Sequence, residues 1–117
     1  MAPIAVIVED DDGLRLIYNH VLKGMGFDVY EAADGREAMT LLESTTPQIM
    51  FLDMRLPFIN GNDILKYVRE TSRFDDTRIV VASSNHQEGE HLNAHLVEFI
   101  LKPIRPAQIR EIAGEVL

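Results

Sequence analysis

Four acidic residues stand in a row at Glu9-Asp10-Asp11-Asp12, directly after the apolar run Ile4-Ala5-Val6-Ile7-Val8. Asp53 follows a second such run, Ile49-Met50-Phe51-Leu52. Ser83-Ser84 closes the run Ile79-Val80-Val81-Ala82, and Lys102-Pro103 closes Phe99-Ile100-Leu101. Carboxylates gathered at one place repel one another and resist joint ionisation, unless a hard cation sits among them. Magnesium suits that position, because it takes oxygen ligands and binds one or two carboxylates together with waters and a phosphate. A lysine and a hydroxyl nearby would supply the charge and the donor that the oxygens of a transferring phosphoryl group need. An aspartate in such a place can itself be the nucleophile and become an aspartyl phosphate.

This chemistry requires that residues far apart in sequence meet, so the elements between them matter. The four apolar runs are short and continuous, as strands buried on both faces are. Between them the pattern changes to a helical one. Leu14, Ile17, Tyr18, Val21, Leu22 and Met25 follow helical spacing, and Gly24 and Gly26 are stop signals. Phe27 to Ala32 reads as a weaker strand, nearer an edge. Asp34 is a helix start, followed by a stripe of Ala38, Leu41 and Leu42. Asn60-Gly61 reads as a turn before a helix carrying Ile64, Leu65 and Val68. Pro106 opens a closing helix with Ile109, Ile112, Ala113 and Val116. Strand and helix thus alternate five times, which implies βαβ units and a parallel sheet covered on both faces. The expected architecture is α/β, a five-stranded parallel doubly wound sheet of order 2-1-3-4-5. In such sheets ligands bind beyond the carboxyl ends of the strands, at the switch point. Strands 1 and 3 are neighbours there, so their acids converge.

The bulk properties agree with one such domain. The chain has 117 residues, 46% hydrophobic and 26% charged, with no cysteine. Disulfide scaffolds, thiolate zinc sites and cysteine nucleophiles are excluded. A formal charge of −8 makes direct binding to nucleic acid or to an anionic membrane surface unfavourable. No apolar run is long enough to span a bilayer, and the first residues lack a signal peptide's basic start. The expected location is cytoplasmic.

Taken together, these motifs resemble the receiver domain of two-component response regulators, the chemotaxis-regulator-like, flavodoxin-like fold. Val8-Glu9-Asp10-Asp11 resembles the family's acidic pair, and Arg15 its early helix-1 arginine. Residues 31–38, Glu31-Ala32-Ala33-Asp34-Gly35-Arg36-Glu37-Ala38, resemble its EAxDGxEA segment. Asp53 to Pro57 with Gly61 resembles DxxxPxxxG, and Ser83-Ser84 and Lys102-Pro103 fall in the family's order. The resemblance covers essentially residues 1–117 as a single domain. It implies that Asp53 is the phosphoacceptor. It also implies that Asp10, Asp53 and the backbone carbonyl of Arg55 ligate Mg2+, with Glu9 acting through a metal-bound water. Lys102 and Ser83 would contact the phosphoryl group. Ser83 and Phe99 would form the switch, and the Lys102–Pro103 bond would be cis. The donor would be a sensor histidine kinase or a histidine phosphotransfer protein, and the output a downstream effector protein or domain. The only chemistry expected is self-phosphorylation from phosphodonors and autodephosphorylation, so the domain is a signalling switch and not an enzyme.

Some features depart from that pattern or read differently. The stretch between Ser83 and Lys102 is short for the family. Asn85-His86-Gln87-Glu88-Gly89 is polar, so a shortened or irregular helix 4 is expected and homodimerisation is left open. Asp11 and Asp12 read better as a solvated helix start than as ligands. His86, His91 and His95 invite a metal reading, but a solvated polar segment accounts for them better. A haloacid-dehalogenase-type phosphatase would want an aspartate where Arg55 stands. A flavin carrier would not place four acids in its phosphate loop. A receiver fold serving only as an interaction module would have no need of Asp10, Asp53, Ser83 and Lys102 together.

Overall fold

In the computed structural model, which describes residues 1–85, 87 and 96–117, the chain forms ten elements. In order they are β1 (Ile4–Val8), α1 (Asp12–Gly24), β2 (Asp28–Ala32), α2 (Gly35–Ser44), β3 (Ile49–Asp53) and α3 (Gly61–Glu70). A 3-10 turn (Ser72–Phe74), β4 (Arg78–Ser83), β5 (Val97–Leu101) and α4 (Pro106–Gly114) complete them. All strand pairs are parallel and the order is β2-β1-β3-β4-β5, the expected one. The expected helix 4 lies within residues 85–96, mostly outside the described residues, as do His86, His91 and His95.

The sheet separates two apolar layers, and the strands' period of two assigns residues to them. Ala5, Ile7, Ile49, Phe51, Val80 and Ile100 face α1 and α4, meeting Tyr18, Leu22, Ile109 and Ile112. Val6, Val8, Met50, Leu52, Ile79 and Val81 face α2 and α3, meeting Ala38, Leu42, Ile64 and Val68. Strands covered on both faces need apolar residues at every position, which is why β1 and β3 read as unbroken runs. β2 lies at one edge of the sheet, and its exposed Asp28, Tyr30 and Glu31 explain its weaker pattern.

The helix starts are set by short polar side chains. Asp11 accepts from the Leu14 amide at 2.8 Å and caps α1, with Asp12 in the first turn. Asp34 accepts from Glu37 at 2.8 Å and caps α2. Asn60 accepts from the Asp63 amide at 3.0 Å, so it caps α3 and is more than a turn residue. Its side-chain oxygen satisfies an amide that the first helical turn leaves unpaired. Pro106 stands at the first position of α4, where a missing N–H costs nothing.

Candidate functional site

Four strands, β1, β3, β4 and β5, each deliver a polar residue one step past the apolar run. The Glu9 amide donates to the Ala32 carbonyl at 3.0 Å, which prolongs the pairing of β1 with β2. That bond draws Glu9 into the sheet edge, where only 1% of it is exposed. Arg15, in the first turn of α1, donates to the Glu9 carbonyl at 2.9 Å. The same guanidinium reaches Asp12 at 2.5 Å and Glu31 at 3.3 Å, tying the β1–α1 turn to β2. Asp10 stands beside Glu9 and is exposed.

Asp53 ends β3 and is 6% exposed. Beyond it, the Met54 amide donates to the Ala82 carbonyl at 3.3 Å and the Gly61 amide to the Met54 carbonyl at 3.1 Å. The start of α3 is thereby pressed against the carboxyl end of β3. A Cβ at Gly61 would stand 2.6 Å from both the Asp53 carbonyl oxygen and the Met54 Cα, so only glycine permits this approach. The Arg55 amide donates to Asp53 Oδ1 at 3.1 Å, orienting the carboxylate.

On the other side, the Lys102 amide donates to the Ser83 carbonyl at 2.8 Å, prolonging β4–β5 pairing by one residue. The Lys102–Pro103 peptide bond is cis, as expected. The ammonium lies 3.0 Å from Glu9 Oε1, 93 positions away in the chain, and 3.3 Å from Asp53 Oδ2. Ser83 is buried, and its Oγ accepts from the Asn85 amide at 3.1 Å. Ser84 is exposed. Phe99 is half-buried and packs against the α2–α3 layer, with Val81 as its ladder partner.

Carboxylate oxygens of Glu9, Asp10 and Asp53 lie within 4.8 Å of one another, the one such cluster of acidic or histidine side chains among the described residues. Burial pushes the Glu9 carboxyl up to about 7, against the opposing pull of the Asp11 amide and of Lys102. The negative charge of Asp53 adds to the rise. Burial would lower Lys102, but its bonds and attraction to Glu9 and Asp53 win and hold it above its ordinary value. One cation therefore faces two buried carboxylates and a third at the rim. An all-oxygen donor set with excess negative charge fits a hard divalent cation. The resemblance pointed to Glu9, Asp10, Asp53, Ser83 and Lys102, and the fold brings Glu9, Asp10, Asp53 and Lys102 together. Arg55 is exposed. Sequence reasoning missed the grip of Arg15 on the Glu9 backbone, which no local pattern signals.

A family model for the response regulator receiver domain matches residues 5–113. The chain belongs to that family. Receiver domains work in phosphorylation-based signalling and hold Mg2+ in the active site, and this one presents the acidic cluster Glu9, Asp10 and Asp53. Chemotaxis protein CheY1 of Helicobacter pylori is 31% identical over 111 residues, 91% of this chain and 90% of that protein. The DNA-binding response regulator MtrA of Mycobacterium tuberculosis is 28% identical over 104 residues. That match takes in 89% of this receiver domain but 46% of MtrA, so the chain spans about half the length of MtrA. The structure of the chemotaxis response regulator CheY4 of Vibrio cholerae matches with a TM-score of 0.86 at 26% identity, over 100% of both chains. Among the described residues, no helix is long and apolar enough to cross a membrane.

Proposed function

We propose that residues 1–117 form one receiver domain that takes a phosphoryl group onto Asp53 from the phosphohistidine of a sensor histidine kinase or a histidine phosphotransfer protein. The observation that carries this is the convergence of Glu9, Asp10 and Asp53 within 4.8 Å, with the Lys102 ammonium 3.3 Å from Asp53. The domain would work in the cytoplasm and control a downstream effector protein or domain.

An oxygen of the Asp53 carboxylate attacks phosphorus in line with the P–N bond of the donor. The P–O bond forms, the P–N bond breaks, and the imidazole leaves and takes up a proton. The Arg55 amide holds the carboxylate in place while it does so. Asp10, Asp53 and the Arg55 carbonyl would hold Mg2+, with Glu9 acting through water, and the bound ion would supply positive charge toward the phosphoryl oxygens. Lys102 turns from Glu9 and Asp53 to the new phosphoryl oxygens, and Ser83 donates its hydroxyl to them. These contacts exist only in the phosphorylated form, and only such differential contacts can shift a two-state equilibrium. Phosphorylation adds about −1.5 to −2 charges at this point. Phe99 turns inward as Ser83 moves. Water later attacks phosphorus and releases inorganic phosphate, restoring the carboxylate.

Incubation with acetyl phosphate and magnesium, followed by intact-mass measurement, tests this. One phosphoryl mass is expected on the protein, lost with EDTA and lost in Asp53→Asn. A folded protein that stays unlabelled with magnesium present would overturn the proposal.

A further inference from the structure

The loop that joins Asp53 to α3 is built around a strained, exposed aromatic. Phe58 has φ of +70°, a conformation that costs a bulky residue energy, yet 68% of it is exposed. The Ile59 amide donates to the Pro57 carbonyl at 2.9 Å, closing a γ-turn of the rare positive-φ kind over Phe58. The same carbonyl accepts from the Gly35 amide at 3.2 Å, at the start of α2. A Cβ at Gly35 would stand 2.1 Å from the Ile59 carbonyl oxygen, so the loop rests on bare backbone there. Arg36, the next residue, lays its guanidinium over the Phe58 ring, 3.5 Å from the centroid. A strained turn persists only when its surroundings hold it. Here the holding contacts are the Gly35 amide and the Arg36 face.

We infer that the Arg36–Phe58 stack is a clasp that positions the Arg55 carbonyl for the metal, which makes Arg36 and Phe58 positioning residues for the phosphorylation site. This rests on the site reading above. The loop is pinned at Met54 by Ala82 and Gly61, and at Pro57 by Gly35. Arg55 and Leu56 bridge the interval between these two anchors. Opening the clasp frees Pro57, and the Arg55 carbonyl, two residues back, loses that anchor. Arg36 and Phe58 stand outside the cluster of Glu9, Asp10 and Asp53, so they act through the loop.

The test titrates magnesium by calorimetry into the wild-type protein, Arg36→Ala, Arg36→Lys, Phe58→Leu, the double variant and Asp53→Asn. Amide exchange at Gly35 and Ile59 is measured in the metal-free protein. The loss expected on removing an exposed cation–π contact is about two- to fivefold in magnesium affinity. It should be found in Arg36→Ala and Phe58→Leu, with faster exchange at both amides and an unchanged thermal midpoint. Arg36→Lys, which keeps a cation, should recover much of the affinity, and the double variant should lose no more than either single one. Unchanged affinity in both single variants, with wild-type binding intact, overturns the clasp and leaves the site reading standing. Wild-type protein that binds no magnesium overturns the site reading, and the clasp's role with it.

Discussion

At the amino-terminal edge of the sheet, Thr77 is buried and its hydroxyl donates to the Pro47 carbonyl at 2.7 Å. Nearby, Arg73 donates to the Leu42 carbonyl and, at 3.0 Å, to Thr46 Oγ1, while stacking on Phe74. These partners are neutral oxygens aimed at a donor. At the carboxyl-terminal edge, Glu9 and Asp53 are buried side by side with Lys102 between them. There two buried carboxylates share one cation, and burial makes Glu9 resist ionisation. The first edge is arranged for stability. The second holds a free-energy cost of crowded negative charge that a hard cation would offset, and functional sites are the usual place for rules of packing to be broken.

The largest test uses one substitution at both edges. Gly61→Ala at the site should destabilise by about 3 kcal/mol, because its Cβ meets backbone at 2.6 Å. Gly24→Ala, at the end of α1, meets nothing within 4 Å and should stabilise by about 0.5 kcal/mol. Urea unfolding measures both, and equal signs would break the comparison.

The next concerns pH. Glu9 titrates near 7 in the fold but at its ordinary 4.5 when unfolded. Between these values the folded protein holds a proton that the unfolded chain has released. Its contribution to stability is therefore present below about pH 4.5 and lost as pH rises to about 7. The loss amounts to up to about 3 kcal/mol. Urea midpoints in EDTA should fall across this window in the wild type and flatten in Glu9→Gln. An equal pH slope in both proteins would contradict the account of the charged edge.

A smaller loss than that at Gly61 belongs to the amino-terminal edge. Thr77→Val removes a buried donor and leaves the Pro47 carbonyl without that bond, costing about 1–2 kcal/mol. The cost should be the same at pH 5 and pH 8, since no titrating group contacts the hydroxyl through that bond. A pH-dependent loss would show that the two edges are electrostatically coupled.

Much of the fold was legible, for reasons visible in particular residues. β1 and β3 are covered on both faces, so they show as continuous apolar runs; Glu9 follows the first and Asp53 closes the second. Asp34 and Pro106 declare helix starts by local hydrogen-bond logic. Asn60 is subtler, because Asn-Gly serves equally as a turn and as a cap with the first helical residue. The motif residues Asp10, Asp53, Ser83 and Lys102 were legible by order and spacing. The grip of Arg15 on the Glu9 carbonyl, the pressure of Gly61 on β3 and the stack of Arg36 on Phe58 were not. Each joins elements whose separation in space depends on sheet order and helix packing.

The sequence alone therefore determined the alternation of strand and helix, and which polar residue stands at each strand's end. Periodicity and capping are local, and a short window contains them. Only the tertiary structure decided that Glu9 lies buried against Lys102, 93 residues away, and that three carboxylates share a space under 5 Å wide. Burial and charge separation depend on every neighbour at once, and the neighbours of a strand end come from four other parts of the chain.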